Sequence, residues 1–477
     1  MFFTVSGSYY NPNVTAIFLA LTTPVFLYFF ESRYRWLIRI SFFILLITLF
    51  LLKCRAAFIG AIVSVLVFYC LEYNLISWIK NKKNKTTAKA LLILGLLIII
   101  PLGTSMYNAK KASADGRKFI WKLSIAMAVE KPLMGYGYGY FEKEYNLYQA
   151  DYIKKGKATS SEMENAGPVL MPHNEIIYNV VEGGIIGLIL MTLFFASLFI
   201  TVKHHRTIAE SQLSILVDTE IVRKPFNVSY AGVVAFAAIS MVNSTIQIAP
   251  IMGTLIIYVS IICRSSKTLQ LPSKMMFAET RRASLIYKTT RIVLSFYALY
   301  VILGIAIADR QNKKVKLLRT NSAKTDHHKE LRIMANLRPY LQEDSDYWKN
   351  LGVLYFKTQN YQQALMCLHK GQTLSSLPDL YIGTGKIYEE LKQYPKAVQE
   401  YETLVAMYPS KFSYRMLLLE MYLKNKDIPH VISLAEEIIR LKPKIPSEKA
   451  NLYKKRARSL LLKLGLSKTN IKHFQAQ

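Results

Sequence analysis

Residues 115–187 read DGRKFIWKLSIAMAVEKPLMGYGYGYFEKEYNLYQADYIKKGKATSSEMENAGPVLMPHNEIIYNVVEGGIIG. A membrane-crossing helix needs about 20 mostly apolar residues. Such runs lie on both sides of this stretch, and none lies between Asp115 and His173. The stretch is therefore a large loop of a chain that crosses a bilayer several times. It carries Arg117, Trp121, a turn from Pro132 to Gly139, and His173-Asn174 running into a glycine-rich helix start. An arginine and a histidine in the largest loop of a polytopic protein are parts suited to handling a phosphorylated lipid.

Working outward, apolar runs at residues 14–30, 37–52, 56–73 and 91–104 precede the loop, and runs at 183–202, 228–246, 251–263 and 292–308 follow it. Eight spans place Arg33, Arg35, Arg39, the 80–89 lysine run, the 204–224 segment and the 264–291 segment on one side, as the positive-inside rule asks. The loop at 105–175 and everything after Asp309 then face away from the cytoplasm. Met1-Phe2-Phe3 lacks the basic region of a signal peptide, and this topology puts it outside the cytoplasm. The expectation is that helices upstream of Met1 are missing from this chain.

Hydrophobic residues make up 52% of the 477, and they concentrate before Asp309, so the length divides into a membrane part and a tail. The expected domains are a membrane domain at 1–308, a linker at 309–344 and a repeat domain at 345–477. Cys54, Cys70, Cys263 and Cys367 are far apart and fit neither a disulfide framework nor a metal site. The net charge of +30 invites a nucleic-acid reading. That reading is rejected, because much of the excess sits in short loops between spans, where it sets orientation. The basic tail suits an anionic membrane surface or an anionic glycolipid, or serves solubility alone.

The tail repeats itself. Trp348-x2-Leu351-Gly352-x2-Tyr355 returns as Tyr381-x2-Thr384-Gly385-x2-Tyr388, with Ala364 and Leu368 answered by Ala397 and Tyr401. A third, weaker copy runs from Tyr414 to Pro443, and the basic helix at 448–464 suits a cap. A helix–turn–helix unit of about 34 residues with this pattern resembles the tetratricopeptide repeat.

Taken singly, the residues that carry chemistry leave alternatives open. His173 precedes a helix start, whose partial positive charge disfavours imidazolium and keeps the ring available as a base. It also fits an interfacial cap. Arg55 and Lys53 sit in a hairpin on the side where basic residues are depleted. A guanidinium fork there matches diphosphate oxygens, and a charge snorkelling to headgroups is the other reading. Arg117 opens a helix after Asp115-Gly116, where backbone N–H groups attract anions, unless Asp115 caps them and the arginine is solvated. Ile120, Leu123 and Met127 form an apolar stripe that fits a membrane surface. Gly135, Gly137 and Gly139 read as a flexible turn, and Gly183, Gly184 and Gly187 as packing between membrane helices. Glu182 falls opposite His173 on a continuous helix. His204-His205 and His327-His328 read as solvated loop and linker residues.

Together these elements resemble the O-antigen ligase family, whose core domain is shared with O-antigen polymerases and bacterial protein O-oligosaccharyltransferases. The family's loop signature is met by His173-Asn174 followed by Gly184 and Gly187. Arg117-x3-Trp121, the Pro132-x2-Gly135-x-Gly137-x-Gly139-x-Phe141 block, Gly7 with Asn11-Pro12-Asn13, and Arg55-Ala56-Ala57 resemble it too. Similarity runs from Phe3 to Val202. The chain departs from the family in starting late and in carrying Cys54 where a serine often stands.

The resemblance implies an all-α protein, a polytopic transmembrane bundle with a tetratricopeptide-type solenoid after it. It implies a multi-pass enzyme of the bacterial cytoplasmic membrane that moves a glycan from an undecaprenyl-diphosphate carrier to lipid A core or another surface acceptor, with the loop and tail periplasmic. Polymerase and protein-glycosylating variants stay open. It further implies that His173 is the general base, that Arg117 and Arg55 grip the diphosphate, and that Asn174, Trp121 and Lys53 support them. Inversion at the anomeric carbon, without metal or cofactor, follows from the same likeness. The implied partners are the lipid-linked glycan, its acceptor, membrane lipids and a protein for the repeats, with no nucleic acid. Two rivals are a membrane-anchored repeat scaffold without catalysis and a transporter of the same lipid.

Overall fold

A computed structural model describes residues 11–73, 75, 111–210, 219–268, 281–321, 327–443 and 447–465. Among the described residues there is helix and no strand, so the chain is all-α. In chain order the helices are α1 (Pro12–Tyr28), α2 (Arg35–Leu52), α3 (Arg55–Glu72), α4 (Lys111–Glu130), α5 (Phe141–Lys154) and α6 (Ser160–Asn165). Then come α7 (Glu175–Glu210), α8 (Thr219–Ser240), α9 (Ala249–Thr268), α10 (Arg281–Asn321), α11 (His327–Leu341) and α12 (Ser345–Lys357). The last are α13 (Tyr361–Leu374), α14 (Pro378–Glu390), α15 (Tyr394–Met407), α16 (Phe412–Lys424), α17 (Ile428–Arg440) and α18 (Glu448–Lys463).

Five of them are long and apolar enough to cross a membrane: Pro12–Glu31, Arg35–Leu52, Arg55–Glu72, Glu175–Thr201 and Thr289–Val315. Rows of exposed apolar side chains, such as Phe43, Phe50, Leu190, Phe199, Phe296 and Tyr300, exceed what a water-facing surface carries and suit lipid contact. The expected run at 91–104 lies outside the described residues. Two expectations need correction. The run expected at 228–246 leaves the helix at Ser240, and residues 241–248 form a turn into α9, whose apolar part, Ala249–Ser265, is shorter than a full span. His204 and His205 stand in the continuation of α7, not in a loop.

The chain divides into two compact units, one of Met1–Tyr138 with Met171–Lys274, the other of Gly139–Leu170 with Met275–Gln477. This differs from the expected division. Residues 309–344 are not a linker where they are described, because α10 runs to Asn321 and α11 follows. Residues 139–170 of the large loop belong with the tail.

In the first unit, α1, α3, α8 and α9 share one apolar core around Ile17, Leu21, Ala57, Phe236 and Ile239. Polar ties fix its edges. Tyr258 donates to Leu21 O, and Glu72 accepts from Arg223 and Asn227 at 3.0 and 2.8 Å. Lys53 closes α2 in the left-handed region and Cys54 is the N-cap of α3, which sets Arg55 in its first turn.

The tail of the second unit is a row of helical hairpins. Left-handed residues Gln359, Lys392 and Lys426 recur at the repeat length of about 34 residues. Each precedes the N-cap of the second helix of its hairpin: Asn360, Gln393 and Asp427. Close approach is repeated as well: a Cβ on Gly352 would lie 2.8 Å from Leu368, and one on Gly385 2.6 Å from Tyr401. Leu380 is fully buried in this core. Leu380→Ala removes its packing and leaves a cavity, a loss of about 2–5 kcal/mol. The thermal transition of the purified full chain is expected to fall accordingly, and an unchanged transition would refute the packing.

Candidate active site

Helix α4 presents two faces. Of the expected stripe, Leu123 and Met127 are buried and Ile120 is half-buried; Phe119, four residues before Leu123, is buried with them, so this face packs inside the protein and does not lie on the membrane. The helix is already formed at Lys111, earlier than expected. Arg117 is thus in its second turn rather than at a helix start, and Asp115 is no N-cap. Arg117 and Trp121, again four apart, share a face and each grips a backbone carbonyl distant in sequence. The Arg117 guanidinium donates to Val242 O at 2.9 Å, and the Trp121 indole to Pro172 O at 2.8 Å.

Helix α7 is broken at Gly184, whose φ of 61° and ψ of −156° lie in a region open to glycine alone. The break is a backbone exchange. An unbroken helix would bond Ile185 N–H to Val181 O and Ile186 N–H to Glu182 O. Here those N–H groups donate to Pro132 O and Leu133 O, at 2.8 and 3.4 Å. The freed carbonyls of Val181 and Glu182 accept from Tyr136 and Gly137 N–H, at 2.8 and 2.9 Å. All four of these displaced backbone groups find a partner, as a buried kink requires. A Cβ on Gly184 would lie 2.3 Å from Leu133 O, and one on Gly135 2.4 Å from Val181 O. The glycine turn expected to be flexible is therefore a brace, and Gly183 and Gly184 face that turn rather than another membrane helix.

His173 sits just outside the N-terminus of α7 with φ of 56°. This uncommon backbone for a non-glycine residue marks a constrained position. Asn174 is the cap: its side chain accepts from Ile177 N–H at 3.0 Å and donates to Met241 O at 2.9 Å. The 241–248 turn, anchored at Met241 and at Val242, is pinned further by two residues of α7. The buried Glu175 carboxylate accepts from Thr245 and Ile246 N–H, and the Tyr178 hydroxyl accepts from Gln247.

That turn presents Asn243 to His173, with Nδ1 and Oδ1 3.3 Å apart. Asn243 Oδ1 also accepts from Ser244 N–H at 3.0 Å, which fixes the amide with its oxygen toward the ring. His173 Nδ1 must then be the protonated nitrogen, leaving the Nε2 lone pair as the basic one. Burial and the positive charge of Arg117 both hold the His173 pKa below its ordinary value, opposed by the Asn243 bond. The shift favours the neutral imidazole.

Arg117 joins the residues singled out in the sequence. Its pKa is lowered by burial and next by the Arg55 guanidinium, with Cys54 opposing. Its charge acts on His173 as well. A half-buried guanidinium under the charge of a second one is costly, and an anion beside Arg117 would relieve that cost. Lys53 stands exposed at the α2–α3 hairpin. Glu182 is buried beside Tyr178 and does not pair with His173. The helical-wheel reason for that does not apply, because α7 starts after His173 and breaks at Gly184. Among the described residues no group of three or more His, Cys, Asp or Glu side chains could hold a metal ion.

Asn243 and Glu175 escaped sequence reading. Asn243-Ser244-Thr245 lay inside an apolar run that read as a span. Three consecutive polar residues before Pro250 were the available signal for a turn.

Residues 40–192 match the family model described as O-Antigen ligase. A Rickettsia conorii protein named as a polysaccharide ligase is 39% identical over 87 residues, which is 18% of this chain and 19% of that protein. The match spans about a fifth of the relative's length. The matched window of the family model contains Arg55, Arg117, Trp121 and His173, while the 241–248 turn lies beyond it.

The backbone exchange predicts that Gly184→Ala meets both a forbidden φ/ψ and the Leu133 carbonyl, at a cost above about 1–3 kcal/mol. Protease cleavage within 132–138 is expected to quicken relative to the parent protein. Unchanged cleavage would show that the turn is not braced by α7.

Proposed function

For a chain that carries an O-antigen ligase domain over residues 40–192, we propose a membrane glycosyltransferase that moves a glycan from an undecaprenyl-diphosphate carrier to an acceptor hydroxyl outside the cytoplasmic membrane, in the manner of a polysaccharide ligase. The observation that carries this reading is the oriented His173 imidazole, Nδ1–H toward Asn243 and Nε2 unprotonated, within the field of the Arg117 and Arg55 guanidinium groups.

The chemistry follows from that set. An acceptor hydroxyl approaches the anomeric carbon from the face opposite the diphosphate. Its oxygen forms the new glycosidic bond while its proton passes to His173 Nε2. The bond from the anomeric carbon to the phosphate oxygen breaks, the electron pair leaves with the diphosphate, and the anomeric centre inverts. Arg117 and Arg55 hold the charge that grows on the leaving oxygens, a preorganised electrostatic contribution. The diphosphate bond is already activated and the guanidinium pair supplies the countercharge, so the scheme calls for no metal or cofactor.

The loop that bears His173 is assigned to the periplasmic face, where lipid-linked glycans are joined to surface acceptors. The hairpin tail, whose helices repeat with the tetratricopeptide period, is placed on the same side. Trp121 and Asn174 serve by fixing the backbone on either side of His173, through Pro172 O and the first turn of α7.

Base catalysis contributes about 10²–10⁴-fold. His173→Ala is therefore expected to lower the release of free lipid diphosphate at least about 100-fold, with membrane levels of the protein unchanged. Release at the parental rate would remove His173 from the mechanism. The pH profile tests the same assignment. The active form is the neutral imidazole, and its depressed pKa keeps it neutral to pH values below the ordinary histidine value, so activity falls only at more acidic pH. Asn243→Asp places a carboxylate on Nδ1–H, favours the imidazolium and moves the acidic limb to higher pH. A limb that stays in place would contradict the pairing.

A further inference from the structure

Residues Gly139–Leu170 and the hairpin tail belong to one compact unit. Helix α5 lies against α15, and buried side chains fix it on the hairpins. Glu142 accepts from the Ser375 hydroxyl at 2.8 Å, Asn146 donates to Ser376 Oγ at 2.9 Å, and Gln149 donates to Met407 O at 3.1 Å. Beyond these ties, Ile153, Lys154 and Met163 form one wall of a cavity of about 470 Å³, and α15, α16 and α17 form the rest. Small-molecule pockets run from about 300 to 1,000 Å³, so the space suits a small ligand or one residue of a longer one.

Arg415 lines this cavity and is 4% exposed. Its Nε donates to Pro409 O at 3.0 Å, and one terminal nitrogen donates to Glu437 at 2.5 Å. The second terminal nitrogen meets no acceptor among the described residues and is not sealed in. The fork therefore keeps donors for whatever enters. Glu402 accepts from the Tyr422 hydroxyl at 2.7 Å, which holds the carboxylate in place and leaves it further capacity to accept. His430 stacks on Tyr422 with ring centroids 5.1 Å apart, and its own side chain is exposed. Its Nδ1 lies 2.8 Å from Asp427, so any charge on that ring is matched.

The charges on this lining balance: Arg415 and Lys154 against Glu402 and Glu437. An anion would meet two carboxylates, and a cation would meet a guanidinium and an ammonium. An apolar ligand would strip water from all four and give nothing back. Adjacent hydroxyls of a sugar ring both donate and accept, so they answer a carboxylate and a guanidinium together, and the ring's C–H face rests on an aromatic side chain. We infer that this cavity binds a neutral sugar residue of a glycan, held by Arg415, Glu402 and Glu437 against the His430–Tyr422 stack. The inference goes beyond the transfer reaction and is read from the cavity's own lining.

The test uses the full chain in phospholipid nanodiscs, free of sugar-headed detergent, with binding followed by ligand-detected NMR. The probes are methyl glucoside, methyl galactoside and N-acetylglucosamine as neutral sugars, with glucuronate, glucosamine and a neutral tetrapeptide beside them. At least one neutral sugar is expected to bind saturably and more tightly than the charged sugars or the peptide. His430→Ala, at an exposed position, is expected to weaken that binding about tenfold, and Ser433→Trp, also exposed, to abolish it by filling the space. Glu437→Gln removes one negative charge and is expected to shift preference toward glucuronate, a change that loss of folded protein cannot produce. Displacement of the probe by a lipid-diphosphate glycan identifies a donor as the source of the sugar, and displacement by the lipid-free surface oligosaccharide identifies an acceptor. Displacement by neither would overturn the inference, as would the absence of neutral-sugar binding, a preference for a charged sugar or the peptide, or parental binding in both His430→Ala and Ser433→Trp. His173→Ala is expected to bind the probes as the parent does, so the transferase reading and this one stand or fall separately.

Discussion

Two side chains on one face of α4 organise everything around His173. Arg117 binds the carbonyl of Val242 and Trp121 binds that of Pro172, so one rigid helix holds both the segment that carries the imidazole and the turn that orients it. The arginine then serves twice, because its charge also acts on His173. A lysine in its place would keep a charge and lose the fork that allows this sharing. The burial of Phe119, Leu123 and Met127 keeps the helix from rotating away, so packing on one face sets chemistry on the other.

The broken helix is the second constraint. A continuous α7 would carry its first turns and its membrane segment along one axis. Exchange of four backbone hydrogen bonds with the glycine turn separates them, and lets the cap at Asn174 and the carboxylate of Glu175 meet the 241–248 turn. Polar backbone beside a membrane is tolerated when protein groups satisfy it, and here they do. The glycines at 135 and 184 matter because two backbones touch, which no side chain permits.

Much of this was legible in the residues. Apolar run lengths gave the five long apolar helices among the described residues but ran past the turn at 241–248, and the repeat of Trp348, Gly352 and Tyr355 in Tyr381, Gly385 and Tyr388 gave the hairpins. The grouping of Arg55, Arg117 and His173 emerged from types and spacing in a likeness to known glycan ligases. What stayed hidden depends on distant contacts. Asn243 looked like a tolerated polar residue in a span, since only its approach to His173 gives it meaning. Glu142, Asn146 and Gln149 carried no signal in the sequence, because the tail partners that bury them lie more than two hundred residues on. The glycine turn looked flexible because the sequence around it cannot show that α7 breaks to receive it.

The assignment of a transferase depends on one spatial claim, that a diphosphate binds between the two guanidinium groups with its sugar toward the imidazole. A structure of the protein bound to a non-transferable lipid-diphosphate glycan measures this directly. The account predicts phosphate oxygens within hydrogen-bond distance of Arg117 and Arg55, and the anomeric carbon on the side of His173 Nε2. Density for the diphosphate away from both arginines, or a sugar turned from the imidazole, would contradict it.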